Sequence, residues 1–163
     1  MGKYGMTDVY KENLHKGTEY EDFVCDSLRE KYGIIIQTYS SRKYQNEKGE
    51  SAGGYEIKFD NLVSETGNLY FEVAEKSDLS LPEYSRSGIF RKDNTWLYLI
   101  GNHEYLWAFS KRQLRILYQS PKSWDAHKIK KKQTPTSIGF VLPVKEAEKW
   151  LCVYRFNLSE VKK

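Results

Sequence analysis

The sequence predicts an α/β fold in a single domain, with a central mixed β-sheet flanked by helices, and three observations lead there. Its 163 residues suffice for one ordinary hydrophobic core and are too few for two. An apolar share of 39% with 15% aromatics offers enough surface to bury that a disordered chain is excluded. Helical periodicity opens the chain, strand alternation follows, and both recur with turn residues between them. No internal repeat or linker interrupts this order, so residues 1–163 read as one unit, with a core over about 18–118 and an α/β extension over 136–158.

Thr18 followed by Glu21 forms a capping box, after which Tyr20, Phe23, Val24 and Leu28 share a helical face until Gly33, so a helix is expected over 18–32. The run Ile34, Ile35, Ile36 leading to Tyr39 predicts a buried first strand, and the polar stretch Ser40–Gly54 a loop. Tyr55, Ile57 and Phe59 then alternate with Glu56, Lys58 and Asp60, as in a half-buried strand. Thr66, Gly67 and Asn68 mark a turn, with Gly67 as the residue that tolerates positive φ. Leu69–Lys76 follows as the next strand, and the two are expected to form a hairpin. Trp96–Ile100 and Tyr105–Phe109 read as a second hairpin around Gly101 and Asn102, and Ser110 caps a helix carrying Leu114 and Leu117. Lys128–Lys132, four lysines in five positions ahead of Pro135, reads as a solvated loop. Ile138–Leu142 resumes a strand, Pro143 begins a short helix through Trp150, and Cys152–Phe156 is a last strand.

Composition narrows the function classes. Lys and Arg number 26 against 22 Asp and Glu, a net charge of +4 that permits nucleic-acid binding. No stretch approaches the roughly 18 apolar residues of a membrane span, and the N-terminus lacks a signal peptide's apolar core, so a cytoplasmic chain without a membrane partner is expected. Cys25 and Cys152 stand far apart with no paired Cys or His spacing, which argues for reduced packing residues. His15, His103 and His127 are scattered with no Ser or Cys nucleophile placed beside them, which argues against triad chemistry.

The residues that carry chemistry are acidic. Alternation puts Glu56, Lys58 and Asp60 on one face of a strand, and Glu72 and Lys76 on one face of the next. Paired strands lie about 4.8 Å apart, so Glu56, Asp60 and Glu72 would hold Mg²⁺, with Mn²⁺ as a substitute, while Lys58 or Lys76 orients water or stabilises charge. The alternative is the wet face of a hairpin, its charges pairing across the strands.

The string GGYEIKFDNLVSETGNLYFEVAEKS followed by SGIFRKDNTWLYLI resembles phage-type and restriction-type nucleases of the PD-(D/E)xK superfamily. The resemblance covers about Thr18–Tyr118, and its specific part runs from Glu56 to Glu72. It implies a restriction-endonuclease-like core and a Mg²⁺-dependent deoxyribonuclease that cuts phosphodiester bonds in DNA. It also implies an acid on the first helix, by position Glu19, ahead of the hairpin acids. Two registers fit. In the first, Glu56 or Asp60 leads and Glu72 opens the triplet, but Ala74 stands at the lysine position, so that role passes to Lys76 or Lys58. In the second, Glu50 leads and Glu56-Ile57-Lys58 is the triplet.

Arg42, Lys43, Arg86 and Arg91 adjoin this segment in loops suited to phosphate contacts, and Lys128, Lys130, Lys131 and Lys132 are placed to clamp a backbone. DNA as partner follows from the resemblance, and nothing in the residues excludes RNA. No known nucleic-acid-binding motif is evident and no small-molecule cofactor is implied, so any sequence preference must come from loops or from homodimer geometry. Two further classes stay open: a nucleic-acid-binding module that lost catalysis, signalled by Ala74, and a protein-interaction domain with a charged sheet face.

Overall fold

Helix α1 runs from Gly5 to Tyr32 in the computed structural model, which describes residues 5–159, with side chains from residue 11 onward other than that of Arg42. Thr18 therefore lies inside the helix and donates its hydroxyl to the Leu14 carbonyl (3.1 Å) instead of capping. The capping-box pattern misplaces the start because a threonine hydroxyl serves an i−4 carbonyl as readily as a free N–H. Gly33 does end the helix, at φ +67°. The isoleucine run that follows forms no strand. Its only pairing is one bridge, Thr38 to Ser51, and Ile35 is 71% exposed while Ile34 and Ile36 pack against the core beneath α1. Within the expected loop a short helix, α2 (Arg42–Lys48), forms with Ser41 as its N-cap.

Strand β1 (Tyr55–Phe59) and strand β2 (Asn68–Glu75) do not form the expected hairpin. A four-residue helix, α3 (Val63–Thr66), leads the chain out of one sheet and into another, with Gly67 as its left-handed C-cap at φ +67°. A Thr-Gly-Asn turn and a Gly-terminated helix share the same positive φ, so the pattern does not distinguish them. β1 pairs in parallel with β4 (Leu97–Gly101), which pairs antiparallel with β5 (Tyr105–Ser110) and through it with β8 (Tyr154–Asn157). The second sheet is antiparallel, in the order β3 (Ser85–Arg86), β2, β7 (Ser137–Pro143), β6 (Lys130–Gln133). Lys130–Lys132 thus lie on an exposed edge strand and not in a loop, where lysines discourage pairing with other chains.

The two sheets and α1 stack as layers. Tyr20, Val24 and Leu28 of α1 pack on Ile57, Leu99, Leu106 and Ala108, one face of the mixed sheet. Its other face presents Tyr98, Ile100, Trp107 and Phe109 to Leu69, Phe71, Val73, Phe140 and Leu142 of the antiparallel sheet. Each such side chain contributes about 1.5–3 kcal/mol on burial. Helices α4 (Lys111–Tyr118, capped by Ser110) and α5 (Val144–Trp150) close this second core through Leu114 and Ala147. The result is a single α/β domain, as expected, but with a mixed four-stranded sheet stacked on an antiparallel one in place of one central sheet. Among the described residues no helix is long and apolar enough to cross a membrane.

Candidate active site

Because Ile57 turns toward α1, the period of two sends Glu56 and Lys58 to the opposite side of β1. β1 is the edge of its sheet, so that side opens on a cleft of about 730 Å³ between α1, α2, β1 and β2. Glu56 is 1% exposed; its Oε1 lies 2.9 Å from the Lys58 ammonium, while its Oε2 is buried with no hydrogen-bond partner. Glu50 completes the group. Its Oε1 lies 3.1 Å from Lys58 Nζ, and its Oε2 accepts the Ile57 N–H at 3.2 Å.

The electrostatics follow from this geometry. Burial pushes the Glu56 carboxyl up; Lys58 pulls it back, and Glu50 adds to the rise. Burial works against the Lys58 ammonium, but Glu56 and Glu50 outweigh it and hold the group well above the usual lysine range. The Lys58 side chain is 38% exposed and opens into the cleft.

The opposite wall comes from β2. Glu72 accepts hydrogen bonds from the hydroxyls of Ser87 and of Ser137 (2.9 Å). Gly88, at φ +52°, sits so close that a Cβ there would strike the Glu72 carbonyl, which makes glycine necessary at this position. A bulge between Glu72 and Ala74 shifts the register against β7. Glu75 consequently joins Glu72 in the cleft, while Ala74, the expected lysine position, packs against the core. Burial, then repulsion from Glu72, raises the Glu75 carboxyl.

The helix acid in the cleft is Glu21, not Glu19. Glu19 faces solvent, paired with His15 at 3.2 Å, whereas Glu21 lines the cleft with Gly17 and Thr18 one turn before it. Burial first and Glu50 second push Glu21 up to about 7. Reading Glu21 as part of a cap concealed it; the spacing Asn13, Gly17, Glu21 along one side of α1 is the signal that finds it.

Arg91 also lines the cleft and donates to the Gln45 carbonyl in the middle of α2 (2.7 Å). Its segment is anchored from behind. Lys111 donates to the Arg91 carbonyl (2.9 Å) and to Asp93 (2.8 Å), and Arg115 donates to the carbonyls of Ile89 and Arg91.

Other expected residues stand elsewhere. Asp60 accepts the N–H groups of Leu62 (3.2 Å) and Tyr70 (3.0 Å), bracing the β1 to β2 connection outside the cleft lining. Lys76 lies over the Tyr84 ring at 4.6 Å. Lys43 and Arg86 are exposed outside the lining, as are Lys128, Lys130, Lys131 and Lys132, and the Arg42 side chain lies outside the described residues. Sequence reasoning missed Ser87 and Ser137 as partners of Glu72, since contacts made across a sheet leave no local trace.

Five glutamates (Glu21, Glu50, Glu56, Glu72, Glu75) therefore face three cations (Lys16, Lys58, Arg91) in the cleft of a chain whose net charge is +4. Among the described residues no three His, Cys, Asp or Glu side chains stand close enough together to hold a metal ion, and Lys58 bridges the nearest two carboxylates. The donor chemistry itself suits a hard cation: carboxylate oxygens, an excess of negative charge and one buried oxygen without a partner. No protein-family model matches the chain, and neither does any curated protein or solved structure.

Proposed function

We propose that this chain is a cytoplasmic, metal-dependent endonuclease that hydrolyses phosphodiester bonds in DNA, in the manner of the PD-(D/E)xK nucleases it resembles. The observation that carries the reading is the group Glu50, Glu56 and Lys58 at the open edge of β1, with Glu56 Oε2 buried and unpartnered. It favours the register in which Glu50 leads and Glu56-Ile57-Lys58 forms the triplet, with Glu21 as the helix acid. Glu50 and Glu56 are the residues that would hold Mg²⁺ or Mn²⁺, with Glu72 on the facing wall of the cleft. When bound, the ion supplies Lewis acidity and lowers the pKa of a coordinated water.

The protein's own contributions follow from its charges. Lys58, whose side chain opens into the cleft, would set its ammonium against a phosphate oxygen on which charge develops. Glu21, poised near neutrality, exchanges a proton within the cleft. Arg91 offers a guanidinium to the scissile strand. The resemblance selects DNA as substrate.

A second reading draws on one specific observation: Lys58 already neutralises Glu50 and Glu56, and no third acid joins them. On that reading the chain binds nucleic acid without cutting it. Plasmid nicking in Mg²⁺ and in Mn²⁺ decides. The wild type is expected to nick and Glu56→Gln to lose at least about a hundredfold. A wild type that binds DNA but leaves plasmid intact in both metals establishes the second reading.

A further inference from the structure

The antiparallel sheet sorts the lysine run into two faces. Cross-strand register aligns Glu72 with Gly139 and Gly139 with Lys132, so these three form one row across β2, β7 and β6. The row before it is Tyr70, Val141 and Lys130. Residues directly opposite one another, and those two apart along a strand, share a face. Lys130 and Lys132 therefore lie on the same face as Glu72, away from the Phe71 and Phe140 core, whereas Lys131 is in register with Phe140 and lies on the other face. Lys128 precedes the strand and lies 3.9 Å from Glu146.

Three contacts tie this face to the cleft. Lys132 Nζ stands over the Tyr70 ring, 5.6 Å from its centre. That ring lies across Gly139, where a Cβ would come within 2.5 Å of Tyr70 Cε2, so the bare glycine makes room for it. The Tyr70 hydroxyl is 2.5 Å from Ser137 Oγ, and Ser137 in turn donates to Glu72 (2.9 Å). A tyrosine ring flanked by peptide on one side and ammonium on the other is a seat for the cation, leaving no open face for a base to stack on.

We propose that Lys130 and Lys132, with Lys132 seated on Tyr70, form a phosphate track that leads a DNA backbone across the antiparallel sheet to the cleft, while Lys128 and Lys131 take no part. The proposal rests on the reading of the cleft as a DNA-processing site and adds the route by which the strand arrives. Exposed ammonium groups in line with the cleft's wall attract a polyanion and release its counterions, which makes the contribution visible in salt dependence. Tyr70 is a positioning residue that acts through Lys132.

The test measures binding of a fluorescein-labelled DNA duplex by the full chain in EDTA over a range of salt, comparing two double variants of equal charge. K130A/K132A is expected to bind roughly tenfold more weakly, with a plot of log affinity against log salt flatter by about 2 units. K128A/K131A is expected to match the wild type in both. Tyr70→Leu should lose about as much as Lys132→Ala, and the two combined should lose no more than either alone, a coupling that a merely structural tyrosine does not produce. Equal losses in the two double variants overturn the track, as does additivity at 70 and 132 or a wild type that does not bind the duplex. Because EDTA removes the chemistry, a wild type that binds along the track but never nicks refutes the nuclease reading and leaves the track standing. A wild type that nicks while K130A/K132A binds normally does the reverse.

Discussion

Lys58 is held by two carboxylates at the mouth of the cleft, and Lys76 is held by an aromatic ring outside it. On the proposed function this difference is decisive for which lysine works. Lys58→Met keeps the stem and removes the charge, so nicking should fall at least about a hundredfold. Mg²⁺ affinity should hold or rise, since the ion no longer competes with an ammonium for Glu50 and Glu56. Lys76→Met should nick at the wild-type rate; plasmid nicking and calorimetry on both variants check this, and an equal loss in the Lys76 variant reverses the assignment. The placement of Glu56 and Lys58 was legible in the sequence because alternation is a local property with a period of two. Glu75 was not. Its face depends on a bulge fixed by β7, a strand more than sixty residues further on, and a regular strand would have turned it away.

Among the elements, the segment Gly88–Asp93 shows how the second core supports the cleft from behind. Lys111 is 2% exposed and the Asp93 side chain 1%, and their 2.8 Å ion pair is the shortest charge contact of either, with Arg91 3.6 Å from the other Asp93 oxygen. Burial opposes the charged Asp93, yet the hydrogen bonds from Lys111 and Thr95 and the Lys111 charge together outweigh it and keep the carboxyl below its usual range. Lys111→Met should therefore cost about 3–5 kcal/mol in urea unfolding, because it strands a buried carboxylate. Adding Asp93→Asn should recover part of that loss, and a single variant as stable as the wild type would show that water reaches Asp93. The element signals themselves were uneven. Ser110 as a cap and the hairpin of β4 and β5 could be read from neighbouring residues. The separation of β1 and β2 could not, because sheet membership is decided by partners such as β4 and β7 that lie far along the chain.

For the whole molecule, the acids of the cleft set how stability depends on pH. Glu21, Glu56 and Glu75 all titrate higher in the folded chain than an ordinary glutamate does, and Glu21 reaches about 7. A carboxyl raised on folding binds more protons in the folded state between its two pKa values. The contribution of Glu21 is thus fully present below the ordinary value of 4.5 and is lost as the pH climbs through about 7, and those of Glu56 and Glu75 are lost in the same direction. Asp93 acts in the opposite sense, losing its contribution on acidification. Melting in EDTA should accordingly drop between mildly acidic and mildly alkaline buffer, and Glu21→Gln should flatten that drop. Added Mg²⁺ should raise the melting temperature more at about pH 8 than at about pH 5.5, since only the ionised cleft attracts it. Equal shifts at the two pH values, or none, count against a cation in the cleft. The layered cores carry one more consequence. Glu56 and Lys58 are rooted in the sheet that rests on α1, with Glu50 tied to it through the Ile57 N–H, whereas Glu72 and Glu75 are rooted in the other, and the aromatic seam of Phe71 against Tyr98 (6.1 Å) and Phe109 (5.2 Å) spaces the two. The carboxylates are in effect two jaws with separate foundations, and the thickness of that seam sets their aperture.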